Sequence, residues 1–273
     1  MFVVLLMGCT GKEIPAQPAR TESAPPRVNR EKLSRVLKAA EIPAEMARRI
    51  EDSAFGASGS GGITSAGGGL FLGHLERILK DGDRHLRILV DKQHPLPEDY
   101  EPDDLIELLY KSYRAGITDV MMLRRKAEAA LEEMAAAARA AGHTLVVSSA
   151  YRSYQYQIGS FERWTARLGL KQAERVSARP GRSQHQLGLV VDFGSISNSF
   201  AETPAGKWVA ANAGRFGFSL SYPKGYDKLT GYEWESWHYR YVGRELAAFI
   251  DTWFGGIQQY ALRFIHEWEA DPS

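Results

Sequence analysis

The chain has 273 residues, room for one well-buried domain with appendages, and its 44% apolar and 25% charged content is ordinary for a globular protein. A net charge of +1, with basic residues spread along the chain and not gathered in a run, gives no electrostatic footprint for a nucleic-acid partner. The single cysteine, Cys9, excludes an intramolecular disulfide.

The apolar run Met1 to Gly8 is too short to span a bilayer. It leads into Leu6-Met7-Gly8-Cys9, which resembles the lipobox of bacterial lipoproteins, where the cysteine is lipidated and becomes the mature N-terminus. The run lacks the positive start of a signal peptide, so a shortened ordinary signal peptide or a chance cysteine stays open. Residues 10–30 are rich in Pro, Ala, Ser and charge without periodicity, the composition of a disordered tether. Residues 31–49 carry Leu33, Val36, Leu37 and Ala40 at helical spacing, with Pro43 dividing two short helices. Residues 55–69 are loaded with Gly and Ser and read as a loop. A phosphate cradle there would need a preceding strand and a Lys-Ser/Thr ending, and both are missing.

Helices are expected over 70–80, 103–113, 122–141, 155–168, 203–216 and 244–254, the last continuing past Gly255-Gly256 towards Trp268. Gly142 stops one helix, and 144–148 reads as a strand. Helices before and between a few late strands predict an α+β fold with a small antiparallel sheet flanked by helices. The expected division is a signal and tether at 1–30, a helical extension at 31–88, a main domain at 89–254 and a helical tail at 255–273.

Chemistry concentrates in two stretches. Ser183-Gln184-His185-Gln186-Leu187-Gly188-Leu189-Val190-Val191-Asp192 offers an imidazole and a carboxylate, and Glu235-Ser236-Trp237-His238 offers another of each. That is the inventory of a catalytic zinc site. His185, Asp192 and His238 would supply three ligands and leave a fourth position to water, and Glu235 would be the general base. Taken singly, each stretch also has a plain structural reading: a loop histidine, a turn aspartate, a solvated glutamate. Leu189-Val190-Val191 reads as a buried strand delivering Asp192 at its end. Residues three apart on a strand face opposite sides, so Glu235 and His238 can share a site only if the chain turns near Ser236. In the aromatic run Tyr232, Trp234, Trp237, Tyr239 and Tyr241, alternating members are expected in the core and one or two in a cleft. His74, His85, His94, His143 and His266 have no ligand-like company in sequence and are expected to be structural or on the surface.

These motifs, Ser-x-His-x-x-Gly-x-x-x-Asp and Glu-x-Trp-His-x-Arg-Tyr-Val-Gly, resemble those of VanY-type D-alanyl-D-alanine carboxypeptidases, zinc peptidases of the cell wall with the hedgehog/DD-peptidase fold. The resemblance extends from about Leu89 to Gly243. It takes in Ser148-Ser149-Ala150-Tyr151-Arg152-Ser153-Tyr154 with Gln157, Ser221-Tyr222-Pro223-Lys224-Gly225 and Thr230-Gly231-Tyr232. Ser236 departs from the Pro that many members carry there. The resemblance implies one Zn2+ per chain on His185, Asp192 and His238, with Glu235 as base. It implies Arg152 in the substrate cleft, where its fork of donors suits a carboxylate or developing oxyanion. Ser183, Gln157 and Tyr232 would add substrate hydrogen bonds. The implied substrates are peptidoglycan stem peptides, cut at a D,D or an L,D bond, in the bacterial cell envelope outside the cytoplasmic membrane. Membrane attachment would come only through Cys9. A dipeptidase or endopeptidase, and a non-catalytic wall-binding module on the same fold, are the alternatives. Oligomeric state is not readable from the chain.

Overall fold

The computed structural model describes residues 30–56, 69–108 and 120–272. The lipobox-like segment, the tether and most of the Gly/Ser-rich stretch lie outside these residues. Helix α1 (Arg30–Ala39) and helix α2 (Ala44–Phe55) follow the helical spacing, with Pro43 immediately before the second. Helix α3 (Leu70–Lys80) comes next.

Strands β1 (Leu105–Glu107) and β2 (Met122–Arg124) then pair antiparallel as a two-stranded ribbon. This corrects two expectations: 105–107 and 122–124 are strands, not helix. The apolar runs there, Leu105-Ile106 and Val120 to Leu123, are two and four residues long, too short for periodicity to separate strand from helix. The expected helix at 122–141 begins only at α4 (Arg125–Ala140).

A four-stranded antiparallel sheet follows, in the order β3 (Val147–Ser149), β4 (Val190–Phe193), β6 (His238–Tyr241), β5 (Phe218–Leu220). Between the strands lie α5 (Tyr154–Leu168), α6 (Leu170–Val176), α7 (Pro204–Asn212) and the single turn α8 (Asp227–Thr230). The helix expected at 203–216 is α7 followed by a tight 3-10 turn at Ala213–Phe216, ending on Gly217 in the left-handed conformation. Helix α9 (Arg244–Phe254) stops at Gly255 and Gly256, both at positive φ, and α10 (Gln258–Ala270) is a separate helix. The two glycines end one helix and redirect the chain, as left-handed caps do.

Two hydrophobic cores result. One fills the space between the sheet and α4, with Leu131, Met134, Val147, Val191, Phe193 and Phe218. The other is built by α1, α2, α3, α9 and α10 around Phe71, Phe249, Phe254 and Phe264. Segments near the two ends of the described chain therefore close one helical layer together. Arg240, fully buried on β6, ties the segment that follows α3 to the sheet by donating from Nη2 to the carbonyls of Leu86 (3.1 Å) and Ile88 (2.9 Å).

Candidate metal centre

In β4 and β6, Asp192 sits directly opposite His238, and the ladder continues through Val191–Tyr239 and Val190–Arg240. Directly paired residues of antiparallel strands point to the same face, so this register alone brings two candidate ligands together. The third arrives from a 3-10 turn, Gln184–Leu187, capped at its start by Ser183, whose Oγ accepts from the His185 amide at 3.3 Å. Gly188 ends the turn at φ +67°, and a Cβ there would meet Leu105 at 2.8 Å. Only glycine meets both demands without strain, and the chain then passes straight into β4.

His185, Asp192 and His238 offer ligand atoms that all lie within 4.8 Å of one another, and all three residues are buried. His185 Nε2 is 3.2 Å from Asp192 Oδ2, and His238 Nδ1 is 3.1 Å from Asp192 Oδ1. The imidazoles are held from behind. His185 Nδ1 lies 2.6 Å from the Ala150 carbonyl, so that nitrogen carries the proton and Nε2 presents its lone pair to the cluster. His238 Nε2 lies 3.4 Å from Gln184 Oε1, which leaves Nδ1 as the inward lone pair. Asp192 Oδ1 has no hydrogen-bond partner among the described residues despite its nearness to His238. Two acceptors facing each other with no proton between them, in a buried place, is the arrangement a cation satisfies. Two imidazole nitrogens and a carboxylate also form a donor set suited to zinc or another first-row ion.

The electrostatics agree. Burial, helped by the Arg152 guanidinium, lowers the pKa of His185 to about 4, so its ring is neutral and available as a ligand at neutral pH.

Glu235 lies at the edge of this cluster, its Oε2 3.4 Å from His238 Nδ1 and its side chain 14% exposed. The expected turn is present at Ser236-Trp237, immediately before β6. Asn198 clamps it from both sides, accepting from the Ser236 amide (3.0 Å) and donating to the Trp234 carbonyl (2.9 Å). Burial, with the Asp192 charge nearby, raises the Glu235 pKa well above the ordinary value. Arg152 stands beside the metal ligands: Nη2 donates to Asp192 Oδ2 at 2.9 Å and Nε to Ser149 Oγ at 2.9 Å. Its Nη1 has no partner among the described residues, and its side chain is 21% exposed. Solvent thus reaches the cluster at Arg152 and Glu235, while the ligands are closed off.

The three neutral candidates are placed less directly. Ser183 caps the turn that carries His185. Gln157 is buried and donates to the Ala178 carbonyl at 2.7 Å, pinning the loop after α6, while its Oε1 has no partner among the described residues. Tyr232 is buried, with its hydroxyl 3.5 Å from the Arg182 carbonyl and its ring against Tyr222 and Lys92. Of the aromatic run, Tyr232 and Tyr239 are buried and Trp237 and Tyr241 pack against the sheet core, while Trp234 is partly exposed beside Lys224. Residues missed in the sequence include Tyr222, whose ring centroid lies 4.7 Å from that of His238, and Gln184 and Asn198. Gln184 adjoins a ligand and could have been suspected. Asn198 gave no signal. The other histidines have structural company: His74 with Glu245 and Trp253, His85 with Tyr100, His94 with Asp91.

A small antiparallel sheet presenting a buried His-Asp-His cluster, with one carboxylate and one guanidinium at its opening, defines the class of a mononuclear metallohydrolase. Comparison with known proteins narrows this. The family model "VanY: D-alanyl-D-alanine carboxypeptidase" matches residues 120–244. The chain is 39% identical over 177 residues to the candidate carboxypeptidase YodJ of Bacillus subtilis (strain 168), covering 59% of this chain and 62% of YodJ. It is 34% identical to a D-alanyl-D-alanine carboxypeptidase of Enterococcus faecalis (strain ATCC 700802 / V583), covering 60% of each. Among solved structures, the LdcB LD-carboxypeptidase superposes with a TM-score of 0.55 at 35% identity, over 62% of this chain and 85% of that one. A vancomycin resistance D,D-pentapeptidase VanY in complex with Zn(II) superposes with a TM-score of 0.54 at 29% identity, over 65% of this chain and 99% of that one. Residues 120–244 form a VanY-type D-alanyl-D-alanine carboxypeptidase family domain. The chain's match spans about three-fifths of the length of these two curated relatives.

Proposed function

We propose that this protein is a zinc-dependent carboxypeptidase that removes the C-terminal D-alanine from peptidoglycan stem peptides, acting at a D,D or an L,D bond outside the cytoplasmic membrane. The observation that carries the reading is the buried cluster of His185, Asp192 and His238 with the Glu235 carboxylate 3.4 Å from His238 Nδ1. His185 through Nε2, His238 through Nδ1 and one Asp192 oxygen would hold one Zn2+. Bound there, zinc supplies a Lewis acid for the scissile carbonyl and makes the attacking water more acidic.

Glu235 takes the proton of that water on its carboxylate and returns it to the leaving amine. Its place at the open edge of the cluster, 3.4 Å from His238 Nδ1, suits both transfers. The two free hydrogens on Nη1 of Arg152 are available to the substrate's terminal carboxylate or to the oxygen that gains charge in the transition state. The same guanidinium, through Nη2, keeps Asp192 turned towards the imidazoles. Ser183, Gln157 through Oε1, and Tyr232 complete the proposed substrate contacts. Among the described residues no helix is long and apolar enough to cross a membrane. Attachment to the envelope through a lipidated Cys9 is part of the same proposal.

Incubating the purified, zinc-loaded protein with defined muropeptides and reading masses tests this directly. Loss of one alanine from a pentapeptide stem shows D,D activity, and loss from a tetrapeptide stem shows L,D activity. Loss from neither overturns the carboxypeptidase reading.

A further inference from the structure

Behind His238 lies a buried relay of side chains that ends beyond the segment matching the family model. Gln258, the first residue of α10, donates from Nε2 to the Ser219 carbonyl at 3.2 Å. Its Oε1 is thereby turned to Gln184 Nε2, 3.4 Å away. Gln184 Oε1 then faces the other way, accepting from Ser221 Oγ at 2.7 Å and standing 3.4 Å from His238 Nε2. Ser221 Oγ also lies 3.3 Å from Gln258 Oε1. Gln184, Ser221, Gln258 and His238 are each no more than 3% exposed, so water does not stand in for a lost partner.

The direction of this relay is not free. An amide side chain can turn end for end, but a backbone carbonyl can only accept. Ser219 therefore sets Gln258, Gln258 sets Gln184, and Gln184 presents an acceptor to His238. Reversing either amide would set oxygen against oxygen, or NH2 against NH2, in a buried place.

We infer that Gln258 is a positioning residue for the metal ligand His238: acting through Gln184, it fixes the imidazole so that Nε2 carries the proton and Nδ1 is left for the ion. This rests on the proposed metal centre. It makes α10, which begins 14 residues after the family match ends at residue 244, a working part of that centre.

The test uses the full chain and Zn(II) competed against a chelator. Gln258→Met keeps the length of the side chain and removes its hydrogen bonds, so zinc affinity falls about 10- to 100-fold, the usual cost of losing an outer partner of a metal-bound histidine. Gln258→Glu, whose carboxyl is kept protonated by burial against the Ser219 carbonyl, still donates there and presents an acceptor to Gln184, and it recovers most of that loss. Gln259→Met is the control. It alters a neighbouring buried residue of α10 that bonds Asp91 at 2.7 Å and not the relay, and it leaves affinity within about twofold of wild type. A second arm needs no variant: nitrogen NMR of the zinc-loaded wild type shows the ring proton of His238 on Nε2. Wild-type affinity in Gln258→Met, an equal loss in Gln259→Met, or a proton on Nδ1 overturns the inference while the metal centre stands. Failure of the wild type to bind zinc overturns the metal centre and the inference with it.

Discussion

The two cores of this protein are built on opposite terms. The helical layer is dry and aromatic: Phe71 packs against Phe249 at 5.3 Å and Phe264 at 5.4 Å, and its buried members are almost all hydrocarbon. The sheet core places Leu and Val on one side and, on the other, a set of buried imidazole, carboxylate, amide and guanidinium groups. Burying a polar group costs free energy unless each hydrogen-bonding atom is matched. The sheet region meets most of that demand with backbone groups and paired side chains, and among the described residues it leaves Asp192 Oδ1 unmatched at the site, with Gln186 Oε1, Ser236 Oγ and two nitrogens of Arg240 nearby. One region makes the molecule stable, and the other uses that stability to hold groups that water would otherwise claim.

Substitutions should separate the two. The largest effect falls on chemistry alone. Glu235→Ala is expected to lower turnover of a stem peptide by about 10²- to 10⁴-fold, the range for a lost general base, while zinc stays bound and the thermal midpoint hardly moves. Near wild-type hydrolysis by that variant would mean another group takes the proton. In the helical layer the outcome inverts. Phe71→Ala should cost about 3–5 kcal/mol of unfolding free energy, by lost burial and a residual cavity, with kcat unchanged wherever the variant is folded. Denaturant titration and activity on one preparation check both halves, and a fall in kcat in parallel with stability would deny the separation.

The smallest effect probes the joint between the regions. Asp91 accepts from the amides of Gln93 and His94, from the His94 ring and from Gln259 of α10. Burial pushes its carboxyl up, but these donors win and its pKa lies below the ordinary 3.8. A depressed folded-state pKa adds stability above the unfolded value and loses it as pH falls through the folded one. Asp91→Asn should therefore cost about 2 kcal/mol at neutral pH, and the gap to wild type should narrow below about pH 4. Urea midpoints at about pH 7 and about pH 3 measure this; a constant gap would show that the carboxylate charge plays no part.

The candidate site was largely legible because its geometry is local. Residues 183–192 carry a cap, a turn, a glycine stop and a strand in succession, and Glu235 and His238 could converge only across a turn, which stands at Ser236-Trp237. The supporting shell was not legible. Asn198 is 36 residues from Trp234, and Gln258 is 74 residues from Gln184. No spacing rule connects such pairs, so only the fold reveals them. The same limit governs the helices: periodicity shows that 31–49 has an apolar face but not that α10 covers part of it. The 105–107 and 122–124 strands were misread because three residues define no period.

The direct pairing of Asp192 with His238 has a consequence for the sequence changes this family can absorb. Side chains of a strand alternate between its faces, so one residue inserted or deleted inside either strand turns every later side chain over. A ligand would then point into the hydrocarbon interior and an aliphatic neighbour would take its place at the ion. Substitutions along β4 and β6 can be gradual, but indels cannot, and length variation among relatives should be confined to the connections outside this pair of strands.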